Sequence, residues 1–561
     1  MVRRIAKDRP MKPKRAILAA ALLAGLPAVA AANVTDNSSE LRQYVQARLA
    51  DAAGMPDAAA SSYARLLQAA PQDKRLALRT YRQALTAGNF KLASLAAQQL
   101  DRLKALPPDA VLMLLADAVT ARDWNRASAM VARLEREQVF AFLTPVMRGW
   151  VALGQGKADP ARLVATSAGS QLSNAYARDH FLLIALAAGR TDVLTDLRRL
   201  MAANDARAVR LQLAAAALLI RRGDTVNAGQ LLQGRAPELE TARAAVAAGR
   251  PIVGAIDTPA LGLSELLAQL AIDVKGNDGR APVSLQLARL ANYLAPDNAA
   301  ATIATADLLA SNGYHEAALL VLARVPADNP LSEAGRQQRS GILLAKGDRA
   351  AALADAKKTA ARPDAGASAF VDLGGILSDL DRPAEAAQAY QRAIDVGNAE
   401  GKPSWIHMFL KAGALDRAGD WTNAKALLHQ ANGLAPGQAI ILNYLGYGML
   451  DRGENLAEAQ AYIERASGLD PNDAAIADSL GWLYFKRGNY AGAIAALERA
   501  VSGDPGQSVM NEHLGDAYWA AGRRIEARYA WRAALVQADK PSVERINRKL
   551  SDGPGDMLTA K

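Results

Sequence analysis

Five histidines are the only imidazoles in this 561-residue chain: His180, His315, His407, His429 and His513. No two stand three or four residues apart, the spacing that lets one helix offer two metal ligands on one face, and no His-Glu-x-x-His run occurs. Cysteine is absent, which excludes a thiol nucleophile, a thiolate metal site and any disulfide. There is no Gly-x-Ser-x-Gly elbow and no glycine-rich loop ending in Lys-Ser/Thr to cradle phosphate. Asp478 and Glu512 form a candidate carboxylate pair for acid–base work, but Asp and Glu recur along the chain as solvated helix faces do, and the two read better as acids lining a surface. Asp179-His180, with scattered arginines, is the one polar grouping in the middle of the chain that a hidden catalytic module would need. The reading is non-enzymatic: no catalytic residue, no metal and no cofactor.

Recognition chemistry is better represented. Five of the seven tryptophans, Trp405, Trp421, Trp482, Trp519 and Trp531, follow residue 404, and tryptophan beside polar groups is the usual composition of a binding hot spot. What positions them is a period. Asn443–Leu450 (NYLGYGML) recurs as Asp478–Phe485 (DSLGWLYF) and as Glu512–Trp519 (EHLGDAYW), so that Leu445-Gly446, Leu480-Gly481 and Leu514-Gly515 are spaced 35 and 34 residues apart. Each unit then has a turn glycine (Gly453, Gly488, Gly522), a small residue (Ala459, Ala493, Ala527) and, four residues later, a large one (Ile463, Leu497, Trp531). Prolines punctuate the unit boundaries (Pro436, Pro471, Pro505). A period of this length marks stacked helix pairs, which present a long surface. With 51% hydrophobic residues but 5% aromatics, much of the apolar content is alanine, the strongest helix former.

The pattern resembles the tetratricopeptide repeat. Its signature positions fall on Ala477, Leu480, Gly481, Tyr484, Ala493, Leu497, Ala500 and Gln507 or Pro505; Ala477 is smaller than the family's residue and the proline is shifted. The resemblance implies an all-α superhelix of about ten to thirteen helix pairs, with weaker units upstream at 405–436, 367–398, around Ala351 and Ala317, from Glu40 to Pro71, and at the turns Gly88-Asn89-Phe90 and Arg122-Asp123-Trp124. The expected organisation is repeats over 33–139, a degenerate helical region over 140–262, the main array over 263–540, and a capping helix and flexible tail over 541–561. Glycines and prolines from Gly234 to Pro259 suggest either a break between two solenoid halves or a long loop in one. In this family the first helices line a concave groove, and residues three before, one after and four after the signature glycine face into it. The resemblance therefore implies a partner-binding set of Asn443, Tyr447, Asp478, Trp482, Phe485, Lys486, Glu512, Asp516 and Trp519, with Leu450 beside them. Trp531 occupies the buried large position of its second helix.

Residues 1–32 read as a secretory signal: seven basic groups precede the apolar stretch Ala16–Val29, and the expected cut follows Ala32. Those residues carry seven basic groups and one acid, so their removal lowers the formal charge from +10 to +4 over 529 residues, too weak and dispersed for a nucleic-acid partner. No other stretch is apolar enough to span a bilayer. The expectation is a periplasmic protein without a lipid-anchor cysteine and without stable membrane insertion. The runs NYLGY, DSLGW and EHLGDAYW also resemble a proteobacterial envelope family of long tetratricopeptide proteins that includes the lipoprotein adaptor of a carboxyl-terminal processing protease. That resemblance implies protein partners, namely such a protease and cell-wall hydrolases; the competing expectation is an assembly scaffold for polysaccharide export, a pilus or a secretion machine.

Overall fold

The computed structural model describes residues 37–554, apart from 166–170, 202–204, 235, 276–281 and 364. The signal segment and the end of the expected tail lie outside the described residues. Among those described there are thirty α-helices and no strand, so the all-α superhelix expected from the repeats is the fold. The chain forms two compact units, Met1–Ala352 and Leu353–Lys561.

The second unit contains five helix pairs: Ala367–Asp379 with Pro383–Ala399, Trp405–Arg417 with Trp421–Leu434, Ala439–Asp451 with Leu456–Leu469, Ala474–Lys486 with Tyr490–Gly503, and Ser508–Ala520 with Arg524–Ala534. A last helix, Lys540–Asp552, ends the array. Its substantial helix contacts are with the next helix or the next but one, as a one-dimensional stack requires. Asn455 and Asn489 cap the second helices by accepting the Glu458 and Gly492 amides, satisfying orphan donors of the first turn. Gly453, Gly488 and Gly522 turn the chain between paired helices at φ of 65°, 73° and 80°, a left-handed conformation that glycine adopts without strain.

The signature glycine does a different job. A Cβ on Gly481 would stand 2.5 Å from Leu497 Cγ, one on Gly446 would stand 2.6 Å from Ile463 Cγ1 and 2.8 Å from the Ala459 carbonyl oxygen, and one on Gly515 would overlap the Trp531 indole. Leaving out that carbon lets the second helix lie directly on the first. Ile463, Leu497 and Trp531 are accordingly sealed from solvent, as are Ala459, Ala493 and Ala527; each large side chain so buried contributes roughly 1.5–3 kcal/mol.

The first unit uses the same helix pairs differently. One core runs through it from Ala60 to Ile342. The helix Pro282–Leu294 packs against Lys74–Ala87 and Val111–Thr120, so elements about two hundred residues apart meet. Arg289, 3% exposed, donates from Nε to the Thr86 carbonyl at 2.9 Å, its guanidinium lying over Gly88; a cation on the last carbonyls of a helix is favourable there. Tyr293 donates to Asp117, which also accepts from Ser94, and Tyr293 packs on Phe90 with ring centroids 4.8 Å apart. Val111–Thr120 (VLMLLADAVT) has eight buried residues and almost no polar face, the pattern of a helix surrounded by protein. The first unit thus covers its inner face with its own helices. The glycine–proline cluster lies wholly inside this unit: 248–258 form a loop anchored by Ile252 and Ile256, while the two units divide at Ala352, about a hundred residues later.

Gly446→Ala is expected to destabilise the second unit by about 1–3 kcal/mol, because the new methyl meets backbone. Gly468→Ala, on the paired helix and with open space at its Cβ position, should be neutral or stabilising by up to about 1 kcal/mol. Denaturant unfolding of the two variants checks both signs.

Candidate functional site

Three consecutive first helices, Ala439–Asp451, Ala474–Lys486 and Ser508–Ala520, carry the residues expected to meet a partner. On the first of them, Asn443 is half-buried, and its Oδ1 is buried without a hydrogen-bond partner among the described residues. One turn on, Tyr447 is half-buried, and burial together with the nearby Asp478 and Asp451 carboxylates pushes its hydroxyl well above the usual tyrosine range. On the second helix, the Trp482 ring stacks on Phe485 at 4.7 Å and on His513 at 4.1 Å, and the Lys486 ammonium lies 5.3 Å from its centroid. Lys486 is exposed. Tyr447, Trp482 and Lys486 therefore give neighbouring repeats a phenol, an indole and a cation reachable from solvent, with the half-buried Asn443 beside them.

The other expected residues are placed differently. Phe485 is 6% exposed and packs beneath Trp482 against Leu497 and Leu514. Asp478 is buried, held by His513 Nδ1 of the following repeat at 3.0 and 3.1 Å. Glu512 and Asp516, expected at groove positions, lie under the final helix. Arg545 grips Glu512 with two hydrogen bonds of 2.8 Å. The Lys549 ammonium, 5% exposed, bonds Glu512 at 2.7 Å and Asp516 at 2.9 and 2.6 Å. Asp516 also accepts the Trp531 indole N–H at 2.9 Å. Trp519 sits between Trp531 (5.3 Å), the Arg524 guanidinium (3.8 Å) and the backbone of Gly553. The physical reason is the end of the stack. The helix Lys540–Asp552 takes the place where the first helix of another repeat would lie, and the acids that point at that place are neutralised by its basic residues. Leu450 is buried in the packing between repeats.

The electrostatics follow from this burial. Burial alone would lower His513, but the Asp478 charge and hydrogen bond, with Asp516 and Glu512 nearby, hold it above its ordinary 6.5. Glu512 is pushed up by burial and pulled further down by its bonds to Arg545 and Lys549, ending below its ordinary 4.5. Asp516 is raised, burial and Glu512 outweighing Lys549. His513, Arg545 and Lys549 were not legible as functional positions: each answers an acid one repeat earlier, and no local pattern links them.

The Asp179-His180 grouping in the first unit is structural. Trp150 donates its indole N–H to His180 Nδ1 at 3.0 Å, His180 is 3% exposed, and burial followed by the Arg207 charge pushes it down to about 3, which keeps it a neutral acceptor. Asp179 pairs with Arg207. Among the described residues, no three His, Asp or Glu side chains cluster to hold a metal ion, and no helix is long and apolar enough to cross a membrane.

With this geometry in place, residues 475–507 match the family described as tetratricopeptide repeat. The chain carries a tetratricopeptide repeat there. No curated protein matches the sequence significantly. Among solved structures, the Cut9–Hcn1 hetero-tetramer of the APC/C is similar at 14% identity, covering 92% of this chain and 97% of that one, with a TM-score of 0.37. A tetratricopeptide repeat protein from Parabacteroides merdae is 17% identical over 45% of this chain and 97% of that one, TM-score 0.35. The Thermus thermophilus protein TTC0263 is 21% identical over 33% and 99%, TM-score 0.30.

Lys549→Met strands Glu512 and Asp516 opposite a thioether. One-sided loss of a buried ion pair costs about 3–5 kcal/mol, so the final helix is expected to undock, and amide exchange across 540–552 should rise while 439–503 stays protected; unchanged exchange at 540–552 would contradict the latch. The His513 pairing has a defined pH dependence. A folded value raised above 6.5 means its contribution is fully present below pH 6.5 and is lost as pH rises through the folded value. Glu512, held below its ordinary 4.5, contributes above that pH and loses its contribution as pH falls, whereas the contribution of Asp516, raised above 3.8, is lost as pH rises through its folded value, the same sense as His513. Unfolding free energy should fall from pH 6.5 upward in the native chain, and His513→Asn should flatten that limb.

Proposed function

We propose that this chain is a non-enzymatic scaffold that holds protein segments along the face made by Asn443, Tyr447, Trp482 and Lys486. The observation that carries the reading is the pairing deficit on that face. The half-buried Tyr447 hydroxyl has no hydrogen-bond partner among the described residues, beside an indole and a free ammonium. A half-buried hydroxyl left unpaired is costly, and the backbone carbonyl of an extended peptide would accept from it, while Trp482 supplies apolar contact and Lys486 favours a carboxylate on the bound segment. The contrast between the units supports the same assignment, since the first fills its inner face with its own helices.

The finer reading places this scaffold in the bacterial cell envelope, exported by its basic and apolar N-terminal segment, delivering cell-wall hydrolases to a carboxyl-terminal processing protease. Its support is the N-terminal sequence and the resemblance of the three Leu-Gly runs. Fractionation of the producing cells tests the location: a periplasmic protein shortened by about the first 32 residues supports export, and full-length protein in the cytosol sinks it.

A photoreactive residue at Tyr447 tests the binding face. Capture of a processing protease or a wall hydrolase supports the delivery role. Capture only from positions in the first unit would move the binding site. Tyr447→Phe removes only the unpaired hydroxyl, so stability should hold, while affinity for the captured segment should fall about threefold to tenfold, the loss of one hydrogen bond of roughly 0.5–1.5 kcal/mol.

A further inference from the structure

The last second helix, Arg524–Ala534, turns an unusual face to solvent. Ile525 is 69% exposed, Tyr529 66%, and Val536, in the turn that ends the helix, 81%. With Arg532 they fall at steps of four, three and four residues, one continuous ridge. Arg528 and Arg532 on this face have no carboxylate partner among the described residues; Arg532 leans toward the Tyr529 ring at 5.9 Å.

The repeats supply an internal control. The positions equivalent to Ile525, Tyr529, Arg532 and Val536 are Ala491, Ala495, Glu498 and Ser502 one repeat earlier, Ala457, Ala461, Glu464 and Gly468 before that, and Thr422, Ala426, His429 and Gly433 before that. All of these are exposed too. The stack therefore does not need large apolar residues or a cation here: three repeats hold together with small ones, and two of them carry an acid where the last carries Arg532.

We propose that this ridge is a docking surface for a helix of a protein partner, one that presents an apolar seam flanked by carboxylates. The 4-3-4 spacing is that of a coiled-coil seam, which another helix matches along its length, and the unpaired arginines call for acids opposite them. A second copy of this chain fits badly, because antiparallel pairing would set Arg528 and Arg532 against the same arginines. A bilayer surface fits badly as well: Arg532 lies within the seam, between Tyr529 and Val536, where insertion would bury its charge and a carboxylate would pair it. This surface is on the second helix of its repeat and is independent of the face assigned above.

The test places p-benzoylphenylalanine at Tyr529 of the full chain in the producing cells, with the same residue at Ala495 as control. The expected result is an adduct whose attached peptide, located by mass spectrometry, lies in an acidic segment with apolar residues at three- and four-residue spacing. Its yield should fall at least tenfold in Ile525→Ala/Val536→Ser and in Arg528→Glu/Arg532→Glu backgrounds. The first pair installs residues that neighbouring repeats already carry at these exposed positions, so the melting temperature should not change. The proposal is overturned by an adduct to lipid, to a second copy or to a basic segment, by a yield no higher than at Ala495, or by a yield unchanged in both backgrounds.

Discussion

The last three repeats of the second unit depend on the absence of one carbon atom each. At Gly446, Gly481 and Gly515 the first helix has no Cβ, and the space it would occupy is filled by Ile463, Leu497 or Trp531 of the paired helix. Everything else in the period serves that approach. Ala459, Ala493 and Ala527 are small because they face the same contact from the other side, and the turn glycine reverses the chain in few residues so that the partner helix arrives in register. Because the contact is steric, it tolerates exchange of the large residue but not addition at the glycine. That is why Trp531 can stand where Ile463 and Leu497 stand in other repeats.

A stack built this way has an unavoidable end, and here the end is closed with charge. Where an earlier repeat meets the apolar first helix of the next, the last meets Lys540–Asp552, whose buried side chains are Ile546 and Lys549. Removing Lys549, Glu512 and Asp516 from water together gains little net stability, since desolvation offsets most of the attraction. What it fixes is register: the ammonium can reach both acids only when the helix sits in one place. The same network removes the last repeat from the partner-facing surface, because acids neutralised by the chain's own lysine have no charge left to offer. The accessible recognition groups lie one and two repeats upstream.

The fold was legible in the sequence because its determinants are local and repeated. Leu480-Gly481 predicts a close helix contact thirteen to sixteen residues later, and the glycine turn between announces the reversal. The site was legible only at the level of helix face. Asn443, Tyr447 and Trp482 fall where the period puts them, but Asp478, Glu512 and Asp516 share that face and are buried, because their partners His513, Arg545 and Lys549 lie about one repeat further on. A period says which way a residue points; it does not say what stands opposite. The same blindness applies to the first unit, where Arg289 reaches the Thr86 carbonyl across some two hundred residues. The almost unbroken apolar run of Val111–Val119 was the available signal that a repeat helix there would be covered on all sides.

One helix-pair plan thus serves two opposite ends. In the first unit apolar first helices attract other helices of the same unit, and the inner face becomes core. In the second the same positions are Asn443, Tyr447 and Trp482, too polar to be covered by a neighbouring repeat and too poorly paired to be left without a partner. On the second helices, the positions that match Ile525, Tyr529 and Val536 are alanine, glycine, serine and threonine through the three preceding repeats. Only in the last repeat do these positions become large and apolar, as Ile525, Tyr529 and Val536, and only there does Arg532 stand in place of the acids of the two preceding repeats. In a repeat protein the neighbouring units show what stability requires at each position, so a departure confined to one unit and to its solvent face calls for a cause outside the fold.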